Sequence, residues 1–270
     1  MDEFRDRVAV ITGGGGGIGA AMARAFAARG ARIVLADLDE AAAKRVADEL
    51  AAAGAQVLVV RTDVTDLASV RALADQTERR FGGVHIVCNN AGVAVFGEIA
   101  RATHADWEFA INVNVWGVVH GIEVFVPRLL AAGQGGHIVN TASMAGCIGM
   151  RWLGIYSASK FAVVGLSEAL NRELKDNGIG VSVLCPMIVD TAINENSERN
   201  RPTALRNREA MEVPPAAAMS GGTIAPEEVA RRVVRGIERK DLYIFTHPEQ
   251  RDILRRRAER QDRNFEPDRW

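Results

Sequence analysis

The sequence predicts an α/β fold of the doubly wound kind, a seven-stranded, mainly parallel sheet with helices on both faces. Three observations predict it. Apolar runs of strand length alternate with Ala-rich stretches of helical length. The runs are continuously apolar, as strands covered on both faces are. The first run passes straight through a glycine-rich turn into a helical stretch, the pattern of a strand–turn–helix unit that opens such a sheet.

In chain order, the strands are expected at 8–12 (Val-Ala-Val-Ile-Thr), 32–36, 57–61, 86–88, 136–141, 181–185 and 242–245. Helices are expected near 18–29, 40–53, 66–80, 104–132, 155–177 and 226–238, filling the gaps between strands. Two segments break the alternation. Residues 187–225 hold Pro202, Pro214-Pro215 and Gly221-Gly222 among mixed polar and bulky apolar side chains, a length and texture that suit a lid over a site. The tail 248–270 is rich in arginine and acids and reads as a solvated helix with a loose end. The 270 residues, 48% hydrophobic, are enough for one full core, so a single domain over 1–270 is expected.

Charge and composition exclude several classes. The formal net charge is -1 and no basic stripe appears, so nucleic acid is not an expected partner. The start, Met1-Asp2-Glu3-Phe4-Arg5, is charged and no signal peptide is readable. No uninterrupted apolar run approaches a membrane span, so no membrane association is expected and the cytoplasm is the expected location. Cys88, Cys147 and Cys185 show no metal spacing; Cys88 and Cys185 end apolar runs and read as small buried hydrophobes, whereas Cys147 is expected near a pocket. The five histidines are scattered, and no metal site is expected.

Chemistry concentrates at Tyr156 and Lys160, four residues apart and so on one face of a helix, with Ser143 upstream. The chain has two tyrosines, and its only lysines are Lys44, Lys160, Lys175 and Lys240. An ammonium beside a phenol favours the phenolate, so Lys160 is expected to make Tyr156 more acidic and fit for acid/base work at a carbonyl or alcohol. The turn Thr12-Gly13-Gly14-Gly15-Gly16-Gly17-Ile18-Gly19 lets backbone approach a pyrophosphate at a helix amino end, which makes the sheet Rossmann-type. Asp37, at the end of the second strand, can accept hydrogen bonds from ribose hydroxyls and repels a 2'-phosphate. Leu38, Asp39 and Glu40 follow it and no cation precedes Gly17 among the glycines, so NAD is favoured over NADP. Asp63-Val64 is placed to meet the adenine, and Asn89-Asn90-Ala91-Gly92 ends the fourth strand at the sheet edge where ligands bind.

These motifs, with Asn112-Val113-Asn114-Val115-Trp116-Gly117, Ile138-Val139-Asn140-Thr141-Ala142-Ser143 and Tyr156-Ser157-Ala158-Ser159-Lys160, resemble the short-chain dehydrogenase/reductase family in its compact single-domain branch. The resemblance runs from about Arg7 to about Phe245. It implies Tyr156 as acid/base, Ser143 as the donor to the substrate oxygen, Lys160 as the holder of the nicotinamide ribose, and Asn114 as the holder of a relay water, with Asn112 as the alternative. It also implies a nucleotide site made of Gly13, Gly16, Gly17, Ile18, Gly19, Asp37, Leu38, Asp63, Val64, Asn90, Ala91, Gly92, Tyr156, Lys160, Pro186 and Val189, with Thr191 on the carboxamide. Where the family usually has Pro-Gly, this chain has Pro186-Met187, and methionine adopts glycine conformations only at a cost. The family implies a homotetramer, or a dimer, through the helices 104–132 and 155–177. Phe125-Val126-Pro127-Arg128 and residues 242–249 are similar to dehydrogenases of aryl side-chain alcohols, the C-alpha type.

A greasy pocket wall is expected from Val93, Val95, Phe96, Cys147, Ile148, Met150, Trp152, Leu153, Met187, Ile188, Ile193, Leu205, Met211 and Met219. Of these, Val95, Met150, Trp152, Met187 and Ile193, with Ser143, are the expected substrate contacts. The expected reaction is therefore interconversion of a secondary alcohol and a ketone with a bulky apolar body, aryl or steroid-like. The alternatives are an NADPH-dependent ketoacyl-type reductase and a non-catalytic NAD(H)-binding redox sensor.

Overall fold

A computed structural model describes residues 4–206 and 221–265. Seven strands form one sheet: β1 (Val8–Thr12), β2 (Arg32–Asp37), β3 (Val57–Arg61), β4 (Ile86–Asn89), β5 (Gly136–Thr141), β6 (Ile179–Cys185) and β7 (Tyr243–Phe245). Their order is β3-β2-β1-β4-β5-β6-β7. Every pairing is parallel, including the last, β6 with β7, so the sheet is wholly parallel where the sequence suggested mainly so.

The helices are α1 (Gly17–Ala27), α2 (Glu40–Ala52), α3 (Leu67–Phe81), α4 (His104–Ile111), α5 (Gly117–Ala132), α6 (Gly154–Leu174), α7 (Ile193–Asn200), α8 (Pro226–Arg239) and α9 (Arg251–Asp262). Burial on both faces follows from the two-residue period of a strand. In β1, Ala9 and Ile11 join Met22, Phe26, Val233 and Ile237 of α1 and α8 on one side. Val8 and Val10 join Leu73, Phe125, Leu129 and Leu174 of α3, α5 and α6 on the other. Each such large side chain contributes about 1.5–3 kcal/mol when removed from water.

The sequence expects one helix over 104–132. The structure divides it into α4, a π-helical turn at Asn112–Trp116, and α5 with Pro127 inside. By length and composition alone His104–Ala132 is apolar enough to cross a membrane, a point the search for an uninterrupted apolar run passes over. Its buried side packs on the sheet through Val124, Phe125 and Leu129 and it carries the buried Asn114, which is the make-up of a core helix.

In the 187–225 segment the sequence predicts a lid. Its described part holds α7 and a short turn at Thr203–Leu205, with Val189 bridged to Ile224. Met211, Pro214, Pro215 and Met219 lie outside the described residues, as does the end of the tail. The tail's helix is α9, none of whose residues is buried.

Helix ends mark the site. Asp39 caps α2, accepting from the Ala42 amide at 3.0 Å, and Thr103 and Asp106 form a reciprocal cap on α4. α1 alone of these begins on a glycine, Gly16, with no capping side chain. Its first amides are left for a ligand.

Candidate active site

The strand order reverses between β1 and β4, and a cleft of about 670 Å³ opens there beyond the carboxyl ends of the strands. The glycine turn, the end of β2, the segment after β4, the start of α6 and the segment after β6 all line it.

At the nucleotide end, Gly13, Gly16, Gly17 and Ile18 face the cleft, and Gly19 does not. A Cβ on Gly19 would lie 2.1 Å from the Gly13 carbonyl oxygen, so this glycine lets α1 close onto the turn and does not itself face a ligand. The Asp37 carboxylate accepts the Gly15 amide on Oδ2 at 2.8 Å and the Asp39 amide on Oδ1 at 2.9 Å. Each oxygen keeps a free lone pair for a ribose hydroxyl. Burial raises the Asp37 carboxyl, opposed by those amides. Leu38, Asp63 and Val64 line the same end, and His120 of α5 donates from Nδ1 to the Val64 carbonyl at 2.8 Å, fixing that wall. Thr12 ties β1 to β4: its Oγ1 accepts the amides of Asn90 at 2.9 Å and Ala91 at 3.0 Å. Asn90, Ala91 and Gly92 thereby border the cleft, opposite Pro186, Val189 and Thr191, whose methyl group packs beside Gly17. Uncapped amides, a turn free of side chains and a carboxylate with open lone pairs together fit a dinucleotide.

At the other end, β5 delivers Ser143 and the first turns of α6 deliver Tyr156 and Lys160 to one place. Ser143 Oγ accepts the Ala145 amide at 3.1 Å and donates to the Pro186 carbonyl at 3.3 Å. Lys160 Nζ donates to the Thr141 carbonyl at 2.9 Å and stands 5.6 Å from the centre of the Tyr156 ring. Asn114 is fully buried behind the cleft, accepting the Val93 amide at 2.9 Å and donating to Val93 O and Ser159 Oγ, each at 3.0 Å. A Cβ on Gly92 would meet Asn114 Oδ1 at 3.1 Å and Lys160 Nζ at 3.3 Å. A side chain there would press on both groups, which would have to give by a few tenths of an ångström. The π-helical turn that carries Asn114 also brings Asn112 onto the cleft wall.

The expected acidification of Tyr156 is reversed. Burial pushes its hydroxyl up to about 12, and the Ser143 hydrogen bond that favours the phenolate only partly offsets it. Burial lowers Lys160 to about 8. Both shifts have one cause, the cost of placing charge where water is excluded, and at this separation it outweighs the attraction between phenolate and ammonium. At neutral pH the tyrosine holds its proton.

On the substrate side Met150, Met187 and Ile193 line the cleft with Val93, Phe96, Leu153, Ile188 and Leu205. Val95 and Trp152 do not. Val95 is buried in a cluster with Phe109 and Ile155. Trp152 takes a left-handed backbone, φ 67°, and its ring lies against the Arg151 guanidinium. Cys147 and Ile148 also stay off the cleft; Cys147 packs instead with Val183 and Cys185. Met187 needs no left-handed backbone, so the missing glycine brings no strain, and its amide donates to His247 Nδ1 at 3.4 Å.

The structure adds residues that sequence reading missed. Phe109 of α4 joins the substrate wall, and Arg45 and Arg199 reach the nucleotide end, Arg199 pairing with Asp39 at 3.7 Å. Arg45 lies on α2, inside the helix expected over 40–53, and neither directly after Asp37 nor among the glycines, where sequence reading expects such a cation. Arg199 comes from α7 and had no local signal. Among the described residues no group of three or more metal-ligating side chains occurs.

Comparison with known proteins agrees with this geometry. The family model described as short chain dehydrogenase matches residues 7–202. A C alpha-dehydrogenase of Sphingobium sp. strain SYK-6 is 36% identical over 261 residues, covering 94% of this chain and 85% of the relative. A 1-deoxy-11-beta-hydroxypentalenate dehydrogenase of Streptomyces exfoliatus is 35% identical over 260 residues, covering 94% and 87%. Among solved structures, a short chain dehydrogenase/reductase from Burkholderia phymatum in complex with NAD superposes with a TM-score of 0.92 at 43% identity, covering 99% of this chain and 98% of that one. With its wholly parallel switch-point sheet and its Ser143, Tyr156 and Lys160 gathered at one cleft, the chain belongs to the short-chain dehydrogenase/reductase family.

Proposed function

We propose that the protein interconverts a secondary alcohol and a ketone with NAD, on a substrate whose body is bulky and apolar. The observation that carries this is the convergence of Ser143, Tyr156 and Lys160 at one end of a cleft whose other end is Asp37. Bound at the glycine turn, NAD would supply the hydride acceptor. Glycine amides and Asp37 would hold its adenosine half, and Lys160 with Asn90–Gly92 its other half. With its hydrogen turned from the Pro186 carbonyl, the Ser143 hydroxyl joins that of Tyr156 in donating to the oxygen of the substrate, where charge grows in the transition state. In reduction Tyr156 gives its proton to that oxygen; in oxidation it takes it. Phe96, Phe109, Met150, Leu153, Ile193 and Leu205 surround the remaining volume with apolar surface, which supports an aryl or similarly bulky group. A homotetramer in the cytoplasm belongs to the same reading, and light scattering of the purified protein tests the assembly.

Catalytic efficiency with NAD is expected to exceed that with NADP, because Asp37 stands where a 2'-phosphate would go. Arg45 and Arg199 are the specific observation for the NADPH alternative, and steady-state kinetics with both cofactors decides. Equal efficiency, or a preference for NADP, removes Asp37 from its assigned role.

The pH dependence has a defined sign. Oxidation needs the base form of Tyr156, and with the hydroxyl near about 12 that form gains share throughout the range above neutrality. Alcohol oxidation should therefore rise as pH increases from neutral, while ketone reduction, which uses the protonated form, should not. Rates in both directions across pH check this, and an oxidation rate that falls from neutral pH upward would contradict it.

A further inference from the structure

The strand ends that carry the catalytic serine also carry two thiols. Cys147 lies four residues past Ser143 and Cys185 ends β6, directly before Pro186. Their sulfurs are 3.8 Å apart, in hydrogen-bonding contact. Both are free cysteines, Cys185 buried and Cys147 half-buried. The third, Cys88, is fully buried on β4, in the core cluster that packs against α1 and α8, whereas Cys185 belongs to the cluster with Val118 and Val163.

The two segments are laced together around Ser143. The Ala142 amide donates to Leu184 O and the Met144 amide to Pro186 O, each at 2.8 Å. Ser143 itself gives its hydroxyl to Pro186 O at 3.3 Å. Any movement of Cys185 toward Cys147 is passed to the Ser143 backbone and to the Pro186 carbonyl that positions its hydroxyl. A disulfide needs its sulfurs at about 2.05 Å. Closing the pair therefore takes a displacement of well over an ångström in a site where about 1 Å of misplacement can cost a hundredfold in rate.

We propose that Cys147 and Cys185 form a peroxide-sensitive thiol pair whose disulfide displaces Ser143 and switches the enzyme off. Cys147 is the half-buried, solvent-facing partner and reacts first. Its thiolate sulfur attacks a hydroperoxide, forming an S–O bond as the O–O bond breaks, and the leaving oxygen takes up a proton as water or alcohol. The Cys185 sulfur then attacks the resulting sulfenic acid; the S–S bond forms, the S–O bond breaks, and the hydroxyl leaves as water with the Cys185 proton. Two thiols are oxidised by two electrons in all, and one hydroperoxide is reduced. Arg257 places positive charge near Cys147 and favours its anionic form, opposed by Glu168. The hydrogen bond to Cys147 and burial hold the Cys185 thiol well above its ordinary value, so Cys185 keeps the proton it gives up in the second step.

The test is hydrogen peroxide titration of the full-length protein after removal of reductant, followed by intact mass, thiol counting and non-reducing peptide mapping. The expected result is a loss of two hydrogen atoms, a fall from three titratable thiols to one, and a Cys147–Cys185 cross-linked peptide. Mass gain from added oxygen without a cross-link, three thiols surviving, or a link that involves Cys88 would overturn the assignment. Cys147→Ser should keep its remaining thiols under the same dose; Cys185→Ala gives the same information if the first variant fails to fold. The activity arm rests on the oxidoreductase reading: turnover should drop about a hundredfold on oxidation and return with dithiothreitol. Cross-linking with unchanged turnover refutes the coupling to Ser143. A protein that cross-links but never turns over any alcohol or ketone sinks the oxidoreductase reading and leaves the thiol chemistry standing.

Discussion

Tyr156→Phe is expected to lower kcat by about a thousandfold, because removal of a positioned acid/base group typically costs 10²–10⁴ in rate. The substitution deletes one oxygen and leaves the ring that packs above Lys160. The glycine turn, Asp37 and the Thr12 bridge between β1 and β4 are untouched, so NADH should still bind, as its fluorescence on titration would show. Tyr156, Ser143 and Lys160 all line this end of the cleft; Ser143 gives its hydrogen to the Pro186 carbonyl and Lys160 Nζ is engaged with the Thr141 carbonyl, which leaves the phenol as the group assigned the transfer. A Tyr156→Phe protein that turns over at the rate of the parent would move the proton transfer elsewhere.

The second large effect is expected at Asp106, which sequence reading leaves unremarked. Asp106 is fully buried and paired with the nearly buried Arg201, which follows α7. Its Oδ2 also accepts the amide of Thr103 at 2.8 Å and its hydroxyl at 2.7 Å, closing the cap of α4. Burial alone would raise this carboxyl, and the bonds from Arg201 and Thr103 more than compensate, holding it below the ordinary value. Arg201 in turn lies over the Phe109 ring and donates to the Leu205 carbonyl at 2.6 Å, so two side chains of the substrate wall depend on the pair. Removing one partner of a buried ion pair leaves the other uncompensated and costs about 3–5 kcal/mol. Asp106→Ala should therefore lower the urea midpoint sharply and raise KM for bulky alcohols more than it lowers kcat. The double change Asp106→Leu with Arg201→Met should recover much of the stability, since an apolar pair of similar volume often replaces an ionic one without loss. A midpoint unmoved by Asp106→Ala would show that the pair holds nothing together.

How much of this was legible in the sequence depended on how local the cause was. The strands were readable because burial on both faces leaves continuous apolar runs, and only their ends moved, as at β7, which begins at Tyr243. Tyr156 and Lys160 were readable because one helical turn brings them together whatever the rest of the chain does. α7 was hidden because Ile193-Asn-Glu-Asn-Ser-Glu-Arg-Asn200 has no apolar stripe, and it is held from outside by Ser197, whose hydroxyl accepts the Ala94 amide at 2.9 Å. Val95 and Trp152 were misplaced because hydrophobicity says that a side chain avoids water, not which of two apolar environments it enters. The direction of the Tyr156 shift was misjudged for a related reason: spacing reveals a neighbouring charge but not the exclusion of water around it.

One measurement bears most directly on the proton-donating phenol in a nucleotide cleft. Purified protein is mixed with NAD and a panel of 1-aryl and other bulky secondary alcohols, with NADH followed by absorbance for the parent and for Tyr156→Phe. The expected result is NADH formation by the parent, slowed by deuterium on the carbinol carbon and nearly abolished in the variant. A parent protein that binds NADH yet oxidises none of the alcohols and reduces none of the matching ketones would contradict it.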